Sequence, residues 1–539
     1  MQTDVLIVGA GPVGLTLALD LGRRGVTCLL IEQKPAPEFL PKMERCNART
    51  MEIFRRLGVA DSIRQAGLAA NVPMDVFIVL AMNEPPLLRL PYPSVDAARA
   101  QIAACNDGTM PREPYQLISQ YTLEPVLKTE VERQPSVVVL YGCRFESLAQ
   151  RSDGVSVVAR AEQGDAVAIE AKYVVGCDGG GSPVRKQLGI TLRGEGDLLR
   201  LFQALYFCPE LYDRIPIGPG PGHGRHYHVA DAQSTFLIMQ DSTKHWTLHA
   251  TVQNAAAMRA RFERTIGVPI AYEMLYAGEW KQNLLLADRY RRGRVFLAGD
   301  SAHLMIPTGG LGMNTGVGDA IDLSWKLAAI LQGWGGPALL DSYEVERRQI
   351  GDRNVGASRY ASLGRRKWRA QYRPEIRDAT PEGRAARAAL ASVADVEQRK
   401  TNEMIGAELG YRYVGSPIIV DEPGGPEQRF REYVPTTWPG TRLPHVWLAD
   451  GVSVHDRIAD GYTLLQFADC DGVRLLPEAM AELGAPCATL RLSSDAARQV
   501  YGYDLLLVRP DLHVAWRGNR APDNPGEISR LVTGHAKPI

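Results

Sequence analysis

Three glycine-rich stretches carry the residue types that hold a phosphate-linked dinucleotide. Gly9, Gly11 and Gly14 have the G-x-G-x-x-G spacing. Gly9 permits a tight turn, Gly11 lets backbone approach a pyrophosphate, and Gly14 lets a helix pack on a strand. Pro12 suits a fixed backbone in that loop. The helix that follows supplies N–H donors and a positive dipole end for phosphates. Glu32, closing the next strand, is placed to accept hydrogen bonds from ribose hydroxyls. In the second stretch a strand runs into Asp178 and Gly179. Such a carboxylate either faces a ligand crevice or caps the next helix, and both readings stay open. The third stretch runs from Gly299 and Asp300 to His303, then from Pro307 through Gly310, Gly312, Met313 and Asn314. It is a second backbone-rich loop at the start of a helix, whose positive end suits a phosphate or an anionic ring atom. His303 invites a catalytic reading, but a lone histidine is more often structural.

The elements needed to position these loops are legible around them. Residues 4–8 form a short apolar run expected to be a buried parallel strand, residues 15–24 a helix stopped by Gly25, and residues 26–31 a second strand, a βαβ opening. Helices are expected from Asn47 through Arg56, over residues 116–133 and over 315–332. Strands are expected at 136–141, 155–160, 167–176, 234–239, 245–252 and 294–298. Residues 72–110 read as irregular, punctuated by Pro85-Pro86 and Pro91-Tyr92-Pro93. Residues 254–266 read as a charged helix, and 360–408 as solvated helices rich in Arg, Ala and Glu. Two Pro/Gly-rich passages, Pro417 to Pro426 and Pro435 to Pro444, resemble a linker. Beyond them, 463–468 and 503–508 are strand-like and 476–483 helical.

Composition sets the outer limits. A chain of 539 residues is too long for one core, so two to four structural units are expected. With 61 basic and 61 acidic residues the formal charge is zero, which argues against nucleic acid or an anionic membrane as the main partner. The eight cysteines form no C-x-x-C pair, which suits neither a disulfide framework nor a zinc site, so a reducing cytoplasm is expected. No apolar run reaches the roughly 18–20 residues of a membrane span. Residues 4–22 lack the basic start of a signal peptide.

Together, in this order and at these separations, the three stretches resemble the single-component flavoprotein aromatic hydroxylases, of the para-hydroxybenzoate hydroxylase and phenol hydroxylase type. Pro41-Lys42 through Asn47-Ala48-Arg49-Thr50-Met51-Glu52 resembles that family's segment between second strand and helix. Gln120 and Glu124 fit its Q-x-x-x-E helix, whose glutamine contacts the flavin nucleotide. Arg509-Pro510-Asp511 with Ala515-Trp516-Arg517 resembles the closing motif of members with a thioredoxin-like C-terminal domain. The likeness spans nearly the whole chain. Two positions depart from the pattern: Lys42 stands where Arg is usual, losing a planar two-toothed contact, and Leu311 where many members have Gln.

The resemblance implies an α/β multidomain protein with a Rossmann-like FAD-binding domain, a β-sheet substrate domain and a thioredoxin-like C-terminal domain. The FAD-binding domain is expected in three parts (1–71, 111–185, 286–360), the substrate domain in two (72–110, 186–285), then a helical linker (361–415) and the C-terminal domain (416–539). Without C-x-x-C the last is expected to serve packing or oligomerisation. The FAD contacts implied are Gly9, Gly11, Pro12, Gly14, Glu32, Lys42, Gln120, Asp178, Gly179, Gly299, Asp300, Pro307, Gly310, Gly312, Met313 and Asn314, with Pro307 also among the reacting positions. NADH or NADPH would reduce FAD transiently, O2 would form a flavin C4a-hydroperoxide, and an aromatic substrate would be hydroxylated. The cofactor carries that chemistry, and the protein positions the substrate and keeps water out. A phenol needs an acceptor for its proton. Candidates are Arg225, His226, Tyr227, His228, Tyr206, Asp241 and His245, with His226 and His228 the catalytic expectation. A homodimer is the family's usual state. Competing readings are Baeyer–Villiger or polyketide-tailoring oxygenation on the same scaffold, an FAD-dependent dehydrogenase or oxidase, and a non-catalytic nucleotide-binding module. The Trp-x-Trp-x-x-Pro signature of flavin halogenases is not found.

Overall fold

The structure is a computed structural model that describes residues 1–536. Its first sheet has eight strands, of which Val137–Tyr141, Cys28–Glu32, Gln2–Val8, Ala166–Gly176 and Val295–Leu297 lie side by side in parallel, with Arg291–Arg292, Cys143–Gln150 and Val155–Ala161 added by antiparallel pairing. Val5, Leu6, Ile7, Leu30, Ile31, Val174 and Val175 are buried, as strands covered on both faces require. The chain moves outward on one side of Gln2–Val8 and then crosses to Ala166–Gly176 on the other. That reversal leaves a crevice at the carboxyl ends of these two neighbours, the place where open α/β sheets bind ligands. Gly9 follows one strand and Cys177-Asp178 the other.

The helix Pro12–Arg23 begins on proline, whose fixed φ suits the first helical position. It packs between this sheet and the helix Gly312–Leu331. Gly14 makes the crossing feasible: a Cβ there would lie 2.0 Å from the Gly9 carbonyl oxygen.

The second sheet orders Glu273–Lys281, Arg200–Phe207, His245–Ala250, Phe236–Met239, His226–Val229, Val76–Val79 and Leu88–Leu90. Alternation divides its residues between two faces. Phe77, Tyr206, Tyr227, Trp246 and Leu248 pack with Met258 and Phe262 of the helix Ala257–Ile266. His226, Phe236, Ile238, Thr247 and His249 point the other way, towards the first sheet. Residues 72–110 are thus less irregular than expected: they hold two strands of this sheet and the helix Val95–Ala104. Strands of four and three residues between prolines are too short to show periodicity.

Three further expectations need correcting. Residue 360, set as a domain boundary, falls inside one continuous helix, Ala338–Arg369. The helices over 360–408 are not merely solvated, because Trp368, Leu390 and Ala394 are buried against Ile78, Leu80 and Ala230 of the second sheet. The passage 417–444 is no free linker either: Ile418, Thr437, Thr441, Arg442 and Leu443 are buried. The C-terminal sheet, ordered Cys487–Arg491, Tyr462–Gln466, Leu505–Val508, Val514–Gly518, has one parallel and two antiparallel pairings. With the helices Leu475–Glu482, Asp495–Tyr501 and Pro525–Val532 it has the thioredoxin-like arrangement. Among the described residues no helix is long and apolar enough to cross a membrane.

Buried ion pairs lock these units together. Arg509 of the C-terminal domain reaches Glu346 at 2.6 Å, Asp322 at 3.0 Å and Asp511 at 2.6 Å, and Lys326 joins Asp322 and Glu346 at 2.7 and 2.6 Å. Glu52 accepts from Arg442 Nε at 2.7 Å and from the Arg112 amide at 2.8 Å. Burial alone would raise the Glu52 carboxyl, but Arg442, His455 and Arg49 outweigh it and hold the group at about 2. The fold therefore favours ionised Glu52. Its contribution is complete above the unfolded value of about 4.3 and is lost as pH falls through that value towards 2. Urea unfolding of Glu52→Gln is expected to show lower stability at neutral pH and a shallower decline between about pH 4.5 and about pH 2. Parallel acid declines in variant and parent would refute this assignment.

Candidate functional site

One cavity of about 640 Å³ joins the carboxyl end of the parallel sheet to the inner face of the second sheet. Gly9, Gly11, Pro12, Glu32, Lys42, Gln120, Asp178, Gly179, Asp300, Pro307, Gly310, Gly312, Met313 and Asn314 all line it. Segments more than 300 residues apart in the sequence meet there. Gly14 and Gly299 do not reach the wall. Gly14 serves the crossing described above, and a Cβ on Gly299 would lie 2.9 Å from Val13.

The lining shows what such a cavity accepts. A Cβ on Gly11 would meet nothing closer than 4.0 Å, and on Gly312 nothing at all, so bare backbone faces the cavity at both helix starts. Both helices lack a side-chain cap at that end, leaving N–H donors for an anion. The second helix begins at Gly312 rather than at 315 as expected, which brings its end onto the wall. Glu32 spans the first loop, accepting from the Ala10 amide at 2.9 Å and the Lys34 amide at 3.0 Å. Asp300 makes no side-chain hydrogen bond among the described residues; its side chain stands open to the cavity, and the protein packed around it raises its carboxyl. A dinucleotide with phosphates and ribityl hydroxyls fits this donor and acceptor set.

Asp178 realises both of its readings. It lines the cavity, yet its oxygens accept from Ser182 Oγ at 2.5 Å and the Val184 amide at 3.0 Å, steadying the helix Pro183–Gln187. Gln120 donates to Glu124 at 2.7 Å. Lys42 is half exposed and 3.5 Å from Glu38. The buried cation beside the Gly309-Gly310 turn is Arg45, which donates to the Gly309 carbonyl at 2.9 Å. That turn is tight: the Gly310 amide donates to the Pro307 carbonyl at 2.8 Å, with φ of +96° and +66° at Gly309 and Gly310, values that favour glycine. Leu311 packs inward on Ala357 and Met404, away from the cavity.

Asn314 holds the turn in place. Its oxygen accepts from the Asn47 amide at 2.9 Å, and its nitrogen donates to the carbonyls of Arg45 at 3.1 Å and Gly310 at 2.6 Å. His303 is fully buried, 2.9 Å from Asp319, which also accepts from Arg347 at 2.8 Å and the Gly299 amide at 3.0 Å. Its role is structural.

The candidates for a substrate-side group separate cleanly. Arg225 and His226 line the cavity. His228 does not: it lies beneath Trp368, with ring centroids 6.2 Å apart, and 3.3 Å from Gln398. Tyr206 and Tyr227 are on the opposite face, donating to Met258 and Gly222 carbonyls at 2.8 and 3.1 Å. Asp241 is committed to the Ser119 amide at 3.0 Å, and His245 sits at the sheet's far end beside Phe39 and Ser242. Glu44 lies 2.8 Å from His226 Nε2, yet both ring nitrogens lack an aligned hydrogen bond. Burial would raise Glu44, but His226, Arg225 and Arg45 hold it at about 2. Burial lowers His226 to about 4 against the pull of Glu44. A neutral imidazole thus stands beside a carboxylate.

Several wall residues escaped the sequence reading: Glu44, Arg45, Phe236, Ile238, Thr247, His249, Trp280 and Arg365. Period-two counting along 245–252 places Thr247 and His249 on His245's face, so those two were within reach. Phe236 stacks on His249 with centroids 4.5 Å apart and 5° between planes, and Trp280 meets His249 edge-on at 5.7 Å. The wall is aromatic.

A dinucleotide crevice at the switch point of a parallel sheet, continuous with an aromatic wall on a second sheet, defines a cofactor-dependent enzyme with space for a flat ring system. Residues 2–358 match the family described as FAD binding domain, and residues 436–535 match "Aromatic-ring hydroxylase, C-terminal". The chain belongs to the FAD-dependent aromatic-ring hydroxylases. It is 34% identical to the FAD-dependent monooxygenase apdD of Emericella nidulans, across 98% of this chain and 89% of that one. The solved structure of RebC soaked with chromopyrrolic acid, with bound 7-carboxy-K252c, superposes with a TM-score of 0.90 at 32% identity, covering 99% of this chain and 100% of that one. The ternary complex of aklavinone-11 hydroxylase with FAD and aklavinone gives 0.82 at 28%, covering 98% and 99%.

Replacing Asn314 by Ala leaves three backbone groups without their partner. Each is expected to cost about 1–3 kcal/mol where it stays unpaired. FAD should bind the apoprotein of Asn314→Ala more weakly in a fluorescence titration. Unchanged FAD affinity would show that the turn keeps its shape without this side chain.

Proposed function

We propose that this enzyme hydroxylates a phenolic, multi-ring aromatic substrate, using O2 and electrons from NADH or NADPH. The single observation carrying this reading is the continuity of the cavity: backbone-lined phosphate loops at one side and the Phe236–His249–Trp280 wall at the other. FAD, when bound, would carry electrons from the nicotinamide to O2, so that one oxygen atom of O2 enters the ring and the other leaves as water. The relative named as a monooxygenase supports oxygen insertion, and the neighbour solved with FAD and aklavinone supports an extended substrate beside the cofactor.

The chain's own residues would act as follows. Gly11, Gly312 and the two helix starts hold the phosphates, while Glu32 and Asp300 accept from sugar and ribityl hydroxyls. Pro307, Gly310, Met313 and Asn314 hold the turn against the flavin ring. The aromatic wall stacks on the substrate and keeps water from the reacting ring. His226 is the proton acceptor. With Nε2–H towards Glu44, its neutral Nδ1, buried and without a protein partner, is left as the acceptor for a substrate hydroxyl, and Glu44 stabilises the imidazolium that forms.

Phenols and hydroxylated polycycles should stimulate NAD(P)H oxidation by the FAD-loaded protein, and 18O2 should deliver one labelled atom to the product. Label-free product, or hydrogen peroxide alone with every substrate, would sink the proposal. His226→Ala is expected to lower hydroxylation by about 10²-fold, with FAD still bound. Unchanged turnover and coupling would remove His226 from the reaction.

A further inference from the structure

Buried arginines near the cavity mostly have partners. Arg369 donates to the carbonyls of Val229 at 3.2 Å and Thr235 at 3.0 Å. Arg185 donates to those of Ser301 and Gly180, both at 3.0 Å. Arg45 has Gly309 at 2.9 Å and Glu408 at 3.6 Å. Arg225 and Arg365 differ. Arg225 is only 4% exposed, lines the cavity, and makes no ion pair. Its one side-chain contact is the Asn402 amide oxygen, 2.7 Å away with the amide turned towards it, and its Nε is unpaired. Arg365, reaching in from the helix Ala338–Arg369, makes no side-chain hydrogen bond among the described residues, and its Nε is buried and unpaired. Its guanidinium carbon lies 5.1 Å from the centre of the Phe236 ring.

Burial lowers both groups, Arg365 to about 10, so both remain cations at neutral pH. The carboxylate within electrostatic reach of both is Glu44, which is already set against His226 at 2.8 Å and faces Arg45 as well. With His226 and His249 neutral, this side of the cavity holds excess positive charge. An uncompensated buried guanidinium is costly, and a bound anion removes that cost. Two planar forks beside an aromatic wall match one anion best, a carboxylate on a flat ring.

We propose that Arg225 and Arg365 form a carboxylate subsite, so that the substrate of the reaction proposed above is an aromatic acid whose rings lie on Phe236, His249 and Trp280. The acid anchors the ring system laterally, which fixes which ring carbon faces the flavin side.

The test uses the FAD-loaded full-length protein and a panel of one- to four-ring aromatic carboxylates, each paired with its methyl ester. Binding is read from perturbation of the flavin absorbance and from thermal shift. At least one acid should bind about ten- to a hundredfold more tightly than its ester. Arg365→Met should bring that ratio close to one while ester affinity holds, and Arg225→Met should do the same. Arg365 is the less buried of the two, so its variant decides the matter should Arg225→Met fold poorly. Equal affinity of acid and ester throughout the panel, binding of neither, or a preference that survives Arg365→Met overturns the subsite. The two proposals fail separately: an acid that binds selectively yet gains no label from 18O2 keeps the subsite and removes the hydroxylation, and a labelled product from esters and acids alike does the reverse.

Discussion

Everything at this site depends on a carboxylate that never touches the cavity. Asp319 is fully buried on the helix Gly312–Leu331 and accepts from His303, Arg347 and the Gly299 amide. Burial by itself would raise its carboxyl, but Arg347 and His303 keep it lowered, hence ionised. Through those partners it fixes where the strand Val295–Leu297 ends, where the Pro307–Gly310 turn begins and how the long helices cross. Arg347 extends the hold by donating to the Thr315 carbonyl and Tyr413 at 3.0 Å each. A desolvated charge tolerates little displacement of its partners, because each lost contact leaves it uncompensated. The backbone-lined loops can be glycine-rich and still hold one shape because this framework stands behind them.

The cavity divides its chemistry by wall. On the parallel-sheet side the polar groups are main-chain donors and a few carboxylates, suited to phosphates and sugars. On the other side are stacked rings, histidines kept neutral by burial, and cations. The neutral state of His226 follows from dryness, since burial outweighs the pull of Glu44. The same burial that would keep water from the proposed reaction therefore sets the protonation of the group beside it.

How much of this the sequence revealed depended on range. Glycine spacing reports local backbone needs, so Gly9, Gly11, Gly179, Gly310 and Gly312 could be placed on the wall from the chain alone. The strand at 4–8 and the helix after it were legible because fully buried parallel strands are continuous apolar runs. The substrate wall was not, because it is a property of register. His226 and His228 share a face, and what separates them is Trp368, 140 residues on, which covers one and not the other. Lys42 drew attention by standing where the family has Arg, while Arg45, three residues later, was silent until the fold brought it to Gly309. Arg365 lay in a segment whose Arg/Ala/Glu composition reads as solvent-facing. Asn314 was found by motif, but its function as a three-way staple belongs to segments that meet only in space.

The helix Ala338–Arg369 gives the C-terminal domain a stake in the active site. Near its start Glu346 is gripped by Arg509, and 19 residues further on Arg365 stands at the aromatic wall. At 1.5 Å per residue those points are about 28 Å apart on an uninterrupted rod. A continuous helix held by a buried charge at one end ties the position of the other to that anchor. The C-terminal domain, which has no C-x-x-C pair, thereby grips the same helix that carries Arg365 to the far wall of the cavity.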